Sequence, residues 1–240
     1  MAGDASSAIG RETVPRAVLL DALGTLVELD EPVRGLVGAL GARGIAVTED
    51  EAARALRAEI AYYREHHDMA RDAAGLEELR DRCADVLGGA LPPSGAGADP
   101  AVVRAALLEG LRFRAFDEVP GVLDALRAAG ARIVVVSNWD VSLHEVLRDT
   151  GLDGRVDGVL TSAECGVAKP DPELFRRALA LAGGVAPADA LHVGDDLDAD
   201  VGGARAAGIP VVLVDRDGSI AAPPGVRVAR TLAELLPDAR

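Results

Sequence analysis

The chain has 240 residues, 49% of them hydrophobic and only 2% aromatic, so it can bury one sizeable aliphatic core, or a core domain with a smaller partner. A formal net charge of -14 argues against nucleic acid and anionic membrane surfaces as bulk partners. The two cysteines, Cys83 and Cys165, stand at no metal-ligand spacing, and no apolar stretch reaches transmembrane length.

Residues 1–15 are small and polar and lack the apolar block of a signal peptide. They read as a flexible N-terminal tail on a cytoplasmic protein with reduced thiols. Ala17-Val18-Leu19-Leu20 is the first strand expected, a short apolar run of the kind buried on both faces of a parallel sheet. Residues 32–115 then contain no strand-like run. Thr48-Glu49-Asp50-Glu51 is a capping box opening a helix that runs through Tyr62 and Tyr63 towards Met69. Helical periodicity returns over 76–87 and 101–111, on either side of a flexible loop from Leu91 to Gly97. This block reads as an all-helical insertion, a lid over whatever the first strand presents. From 116 onward helix and strand alternate. Helices are expected over 122–129, 141–149, 172–182 and 198–207, each followed by Gly130, Gly151, Gly183 or Gly208. Strands are expected at 133–136, more weakly at 157–160, and at 190–193 and 211–214. The fold class is therefore α/β: a doubly wound parallel sheet, Rossmann-like, built from 16–31 and 116–240, with an all-helical cap domain over 32–115.

In such a sheet ligands bind outside the carboxyl ends of the strands. The first strand ends in Asp21, the next in Ser137-Asn138, and a later one in Gly194-Asp195-Asp196, with Asp198 and Asp200 close behind. Lys169 is the one lysine among 25 basic residues and stands just before a Pro-initiated helix. A compact ammonium at that position does what a planar guanidinium cannot. Any one of these Ser, Asn or Asp residues alone would read as a helix cap. Together, in order and each at a strand end, they read as a site. Carboxylates gathered in one crevice repel one another unless a divalent cation lies between them, and hard oxygen donors favour Mg²⁺.

The ordered set Asp21-x-x-Gly24-Thr25, Ser137-Asn138, Lys169-Pro170 and Gly194-Asp195-x-x-x-x-Asp200 resembles the four motifs of the haloacid dehalogenase (HAD) superfamily. The helical insertion after the first motif is similar to the cap of its subclass I. The resemblance implies a hydrolase of a small-molecule substrate. Asp21 would be the nucleophile that forms an aspartyl phosphate, with Thr25 orienting it. Ser137, Asn138 and Lys169 would hold the transferring oxygens. Mg²⁺ would be bound by Asp21, the Leu23 carbonyl and Asp195, with Asp196 and Asp200 as ligands or close behind.

The chain departs from the phosphatase pattern at Leu23, where such enzymes carry a second aspartate that protonates the leaving group. The motif Asp21-Ala22-Leu23-Gly24-Thr25-Leu26 is more similar to that of 2-haloacid dehalogenases, whereas the acidic fourth motif favours a metal-dependent phosphatase. A cap without lysine excludes the phosphonatase branch. Mg²⁺-dependent phosphate hydrolysis leads, with haloacid hydrolysis through an aspartyl ester and a non-catalytic binding relative as alternatives. Tyr63 and His66 on the cap helix, and Trp139 beside Asn138, are candidates for substrate selection. His192 reads as a core histidine with a backbone partner, and Arg112 and Arg114 as solvated. A monomer and a homodimer are both compatible with the chain.

Overall fold

The computed structural model describes residues 14–93, 95, 97–221 and 223–236; most of the tail expected at 1–15 lies outside them. The chain begins with β1 (Ala17–Leu20), β2 (Val27–Leu29), α1 (Pro32–Gly41), α2 (Glu49–His66), α3 (Ala73–Ala90), α4 (Pro100–Gly110) and β3 (Phe113–Ala115). It continues with α5 (Val119–Ala128), β4 (Arg132–Ser137), α6 (Leu143–Asp149), β5 (Gly158–Thr161), α7 (Ser162–Cys165), α8 (Pro172–Leu181) and β6 (Ala190–Gly194). A π-helical stretch, Leu197–Gly202, leads into α9 (Gly203–Ala206), followed by β7 (Val211–Val214) and β8 (Arg227–Ala229).

The chain divides into two compact units, one of 1–27, 115–138 and 147–240 and the other of 28–114 and 139–146. In the first, six strands pair in the order β5-β4-β1-β6-β7-β8, every pairing parallel. β1 lies in the middle and all four of its residues are buried, which explains its unbroken apolar sequence. Ala17, Leu19, Val134 and Val136 form one face of the sheet and pack against Leu174, Phe175 and Ala178 of α8. α5 also packs on β4, whose residues from Ile133 to Ser137 are all buried. Each strand expected from the sequence forms here, and each ends within one residue of its expected end. β8 was not expected, because three residues of mixed character carry no periodicity to read.

The second unit is a ring of four helices in which α1 packs on α2, α2 on α3, α3 on α4, and α4 back on α1. Its core is aliphatic, with Leu36, Leu40, Leu56, Leu79, Leu87 and Leu107 at its centre. The capping box at Thr48 is fully formed and starts α2 where the sequence places it. Two differences from the sequence reading stand out. Phe113–Ala115 forms a short strand paired with β2, inside a block expected to be wholly helical. Residues 139–146 belong to this unit rather than to the sheet unit. The reason is tertiary: Trp139 is buried against Phe113 with ring centroids 5.2 Å apart, and the Val141 N–H donates to the Ala70 carbonyl.

Glu59 of α2 is a buried acid in this helical core, beside the Cys83 thiol of α3. Burial raises its pKa to about 7 and outweighs the opposing Cys83 hydrogen bond. A raised acid pKa means the folded state holds a proton that the unfolded chain releases. Stability should therefore fall as pH rises from the ordinary carboxyl range through about 7. Glu59→Gln is expected to leave urea stability at pH 5 nearly unchanged and to raise it at pH 8 by roughly 1–3 kcal/mol. Equal effects at both pH values would show that Glu59 stays ionised in the fold.

Candidate active site

Asp21 follows β1 directly, and its N–H donates to the Val193 carbonyl, which continues the sheet by one residue. Ser137 closes the neighbouring strand β4, and its Oγ donates to Asp21 Oδ1 over 2.9 Å. Lys169 Nζ donates to the same oxygen at 2.6 Å and to Asp200 Oδ1 at 2.6 Å. Both protein hydrogen bonds to the Asp21 side chain thus fall on Oδ1. Asp21, Asp195 and Asp200 each offer one carboxylate oxygen, and these lie within 4.8 Å of one another. Three carboxylates against one ammonium leave an excess of negative charge in a largely buried place.

Burial and the neighbouring charges together shift these groups. Burial pushes Asp21 above its ordinary value; Lys169 opposes the rise and Asp200 adds to it. Asp195 is pushed up to about 7, by burial first and then by Asp21 and Asp200. Burial also acts to raise Asp200, but Lys169 and His192 outweigh it and hold this carboxylate well below its usual range. Burial alone would lower Lys169; its two aspartates more than compensate, so the ammonium stays charged.

Backbone geometry makes room for the cluster at two glycines. Gly24 has a φ of 78°, and a Cβ there would overlap the Asp195 carboxylate. A Cβ on Gly194 would overlap the Asp200 carboxylate.

Several residues have tasks that spacing did not reveal. Asn138 spends its whole side-chain amide on the backbone of Lys169: Nδ2 donates to the Lys169 carbonyl at 2.8 Å, and Oδ1 accepts from its N–H at 2.7 Å. Asp196 lies outside the carboxylate group, because its Oδ1 caps the π-helical stretch by accepting from the N–H groups of Asp198 and Ala199. Asp200 has both oxygens engaged, Oδ1 by Lys169 and His192, and Oδ2 by the Asp196 N–H. The Thr25 hydroxyl, expected to orient Asp21, is buried without a hydrogen-bond partner among the described residues. The orienting bonds come from Ser137 and Lys169. His192 is a core histidine, but its ring partner is the Asp200 carboxylate, at 2.8 Å from Nε2, and not a backbone group.

Leu23 is partly exposed, and among the carbonyls of residues 22–27 its own is the one without a protein hydrogen bond among the described residues. Trp139, Tyr63 and His66 belong to the helical unit. The Trp139 indole N–H donates to Ser142 Oγ. Tyr63 is pushed well above its ordinary pKa, by burial first and by Asp140 second. The His66 ring stacks on Tyr62 with centroids 3.9 Å apart. Arg114 pairs with Glu28 and Asp30, and Arg112 donates to the Glu109 carbonyl. Arg216, which contacts the turn after Asp21, had no signal in the sequence; an arginine in Asp215-Arg216-Asp217-Gly218 resembles any exposed loop.

A family model described as haloacid dehalogenase-like hydrolase matches residues 15–208. Over 106 residues the chain is 42% identical to a phosphoserine phosphatase of Thermus thermophilus, a stretch that is 44% of this chain and 42% of that protein. The chain thus spans about two fifths of the length of the first curated relatives it matches. Among solved structures, the magnesium-bound HAD-hydrolase YfnB of Bacillus subtilis superposes with a TM-score of 0.68 at 23% identity, over 92% of this chain and 96% of that one. An L-2-haloacid dehalogenase of Xanthobacter autotrophicus with chloropropionic acid covalently bound superposes with a TM-score of 0.64, also at 23% identity, over 92% of this chain and 96% of that one. The two structures share the fold and, at that identity, carry no more than the fold. With the family model spanning most of the chain, and the parallel sheet gathering Asp21, Ser137, Lys169 and the fourth-motif aspartates at its strand ends, this protein belongs to the haloacid dehalogenase-like hydrolases.

Proposed function

We propose that the protein is a Mg²⁺-dependent phosphatase that hydrolyses a small phosphorylated metabolite through an aspartyl phosphate on Asp21. The observation that carries this reading is the group of three carboxylates, Asp21, Asp195 and Asp200, with one oxygen of each within 4.8 Å of the others and the buried Lys169 paired to Asp21 and Asp200. The donor set fits a hard divalent cation. Burial first, then Asp21 and Asp200, raise the Asp195 pKa to about 7, and the Leu23 carbonyl in the turn after Asp21 has no hydrogen bond among the described residues. Asp21, Asp195 and the Leu23 carbonyl would hold Mg²⁺, with Asp200 keeping Lys169 in place behind them. The bound ion would neutralise charge on the substrate phosphoryl group. The phosphatase found among the relatives is in keeping with this assignment.

In the first step a carboxylate oxygen of Asp21 attacks phosphorus, and the bond from phosphorus to the leaving oxygen breaks. Ser137 and Lys169 grip the other carboxylate oxygen and fix the direction of attack. The leaving oxygen takes its proton from solvent, since Leu23 has none to give. In the second step water attacks the phosphorus of the aspartyl phosphate. The bond to Asp21 breaks, the carboxylate is restored, and phosphate leaves with the oxygen of water. Lys169, kept charged by its two aspartates, stabilises negative charge in both steps.

The test is a thermal melt with millimolar Mg²⁺, with and without beryllium fluoride, alongside turnover of phosphate esters in Mg²⁺ or EDTA. A rise in melting temperature with Mg²⁺, a further rise with beryllium fluoride, and turnover lost in EDTA are expected. A folded sample that ignores millimolar Mg²⁺ sinks this reading. The second reading, hydrolysis of a 2-haloacid through an aspartyl ester, is favoured by Leu23, because a departing halide needs no proton. Halide release undiminished by EDTA would establish it.

A further inference from the structure

Arg216 follows β7 and donates three hydrogen bonds, none of which an isolated surface arginine would make. Nε donates to the Gly24 carbonyl at 3.0 Å, Nη2 to the Thr25 carbonyl at 2.8 Å, and Nη1 to Glu118 Oε1 at 2.8 Å. Its guanidinium carbon lies 3.3 Å from the centroid of the Phe116 ring. The loop that carries it is fixed in turn, since the Asp215 carboxylate accepts from the N–H groups of Gly218, Ser219 and Ile220. Arg216 therefore grips the chain where it leaves the sheet unit, at Gly24 and Thr25, and where it returns, at Phe116 and Glu118.

The carbonyls of the turn after Asp21 can be accounted for one by one. That of Ala22 accepts from the N–H groups of Thr25, Leu26 and Val27; that of Val27 accepts from Gly24; that of Leu26 accepts from Phe116. Arg216 takes those of Gly24 and Thr25. Among the described residues, that of Leu23 alone is left without a donor. A turn with three free carbonyls could rock between alternative donors. With two of them tied to a planar fork, it presents one.

We propose that Arg216 is a positioning residue for the cation site: by holding the carbonyls of Gly24 and Thr25 it fixes the turn that follows Asp21 with the Leu23 carbonyl left open to a cation. This rests on the Mg²⁺-dependent reading above. A lysine lacks the rigid planar fork that aims two donors at both carbonyls together, and glutamine would lose the charge as well. Partners that orient metal ligands from behind are typically worth about 10- to 100-fold in metal affinity.

The test is the Mg²⁺ affinity of the full chain by calorimetry, for the wild type and for Arg216→Gln, Arg216→Lys and Glu118→Gln, with folding checked by circular dichroism. Arg216→Gln is expected to weaken Mg²⁺ binding about 10- to 100-fold, and Arg216→Lys by a smaller but clear factor of about fivefold or more. Glu118→Gln, which leaves both carbonyl bonds in place, should change it less than about threefold. If Arg216→Gln does not fold, Arg216→Lys decides. Folded Arg216 variants that bind Mg²⁺ as the wild type does, whatever their melting temperatures, overturn the proposal and leave the phosphatase reading standing. A wild type that binds no Mg²⁺ overturns the Mg²⁺ reading first, and the positioning role with it.

Discussion

Asp21→Asn is expected to remove phosphatase activity, by about 10⁴-fold or more, without unfolding the protein. An amide is not a competent nucleophile, and loss of a group through which both steps pass is never a partial loss. Stability should move the other way. Asp21 has a pKa raised by burial and by Asp200, so its ionised form is disfavoured in the fold at any pH above the ordinary carboxyl range. Asn keeps an oxygen to accept from Ser137 and Lys169 while removing one of three crowded negative charges. In the absence of Mg²⁺ the variant should therefore melt at or above the wild-type temperature at pH 8. The difference should shrink as pH falls and the wild-type carboxylate takes up its proton. The added stability from Mg²⁺ should be smaller in the variant, since one ligand is gone. A variant that loses activity because it melts well below the wild type at pH 8 would place Asp21 among the residues that hold the fold together.

Leu23→Asp is expected to change which phosphates the protein cleaves. With leucine at this position no side chain there protonates the leaving oxygen. Wild-type rates should rise steeply as the leaving-group pKa falls, and acyl and aryl phosphates should outrun alkyl phosphates. Restoring the acid should accelerate alkyl phosphates by up to roughly 100- to 10,000-fold and acyl phosphates little. The position tolerates the change, since Leu23 is already partly exposed and aspartate is the smaller residue. A fourth carboxylate close to the acidic group should also make the variant lean more heavily on Mg²⁺ for stability. Equal wild-type cleavage of alkyl and acyl phosphates would mean that another residue delivers the proton. Activity that appears only in Leu23→Asp would make the native protein a binding relative of the enzymes it resembles.

The sequence by itself determined the parallel sheet and the ends of its principal strands. Runs such as Ala17–Leu20 and Ile133–Val136 are too short and too uniformly apolar for anything but strands buried on both faces, and the residues that follow them must lie at the carboxyl edge. It likewise placed Asp21, Ser137, Asn138, Asp195 and Asp196 at strand ends, with Lys169 and Asp200 in the segments that follow, because order along the chain fixes an approximate place. Only the tertiary structure decided what each atom does there. Asp195 and Asp196 are adjacent and chemically identical, yet one joins the carboxylate group and the other caps a helical turn. Asn138 is turned to the backbone of Lys169, the Thr25 hydroxyl has no partner among the described residues, and His192 finds Asp200 rather than a carbonyl. Residues 139–146 joined the helical unit through the packing of Trp139 on Phe113, and Arg216 reached back 191 positions to Thr25. The physical reason is common to all of these. Periodicity and spacing report which face or edge a residue occupies, whereas a hydrogen bond depends on a few tenths of an ångström between groups that meet only after distant segments have packed.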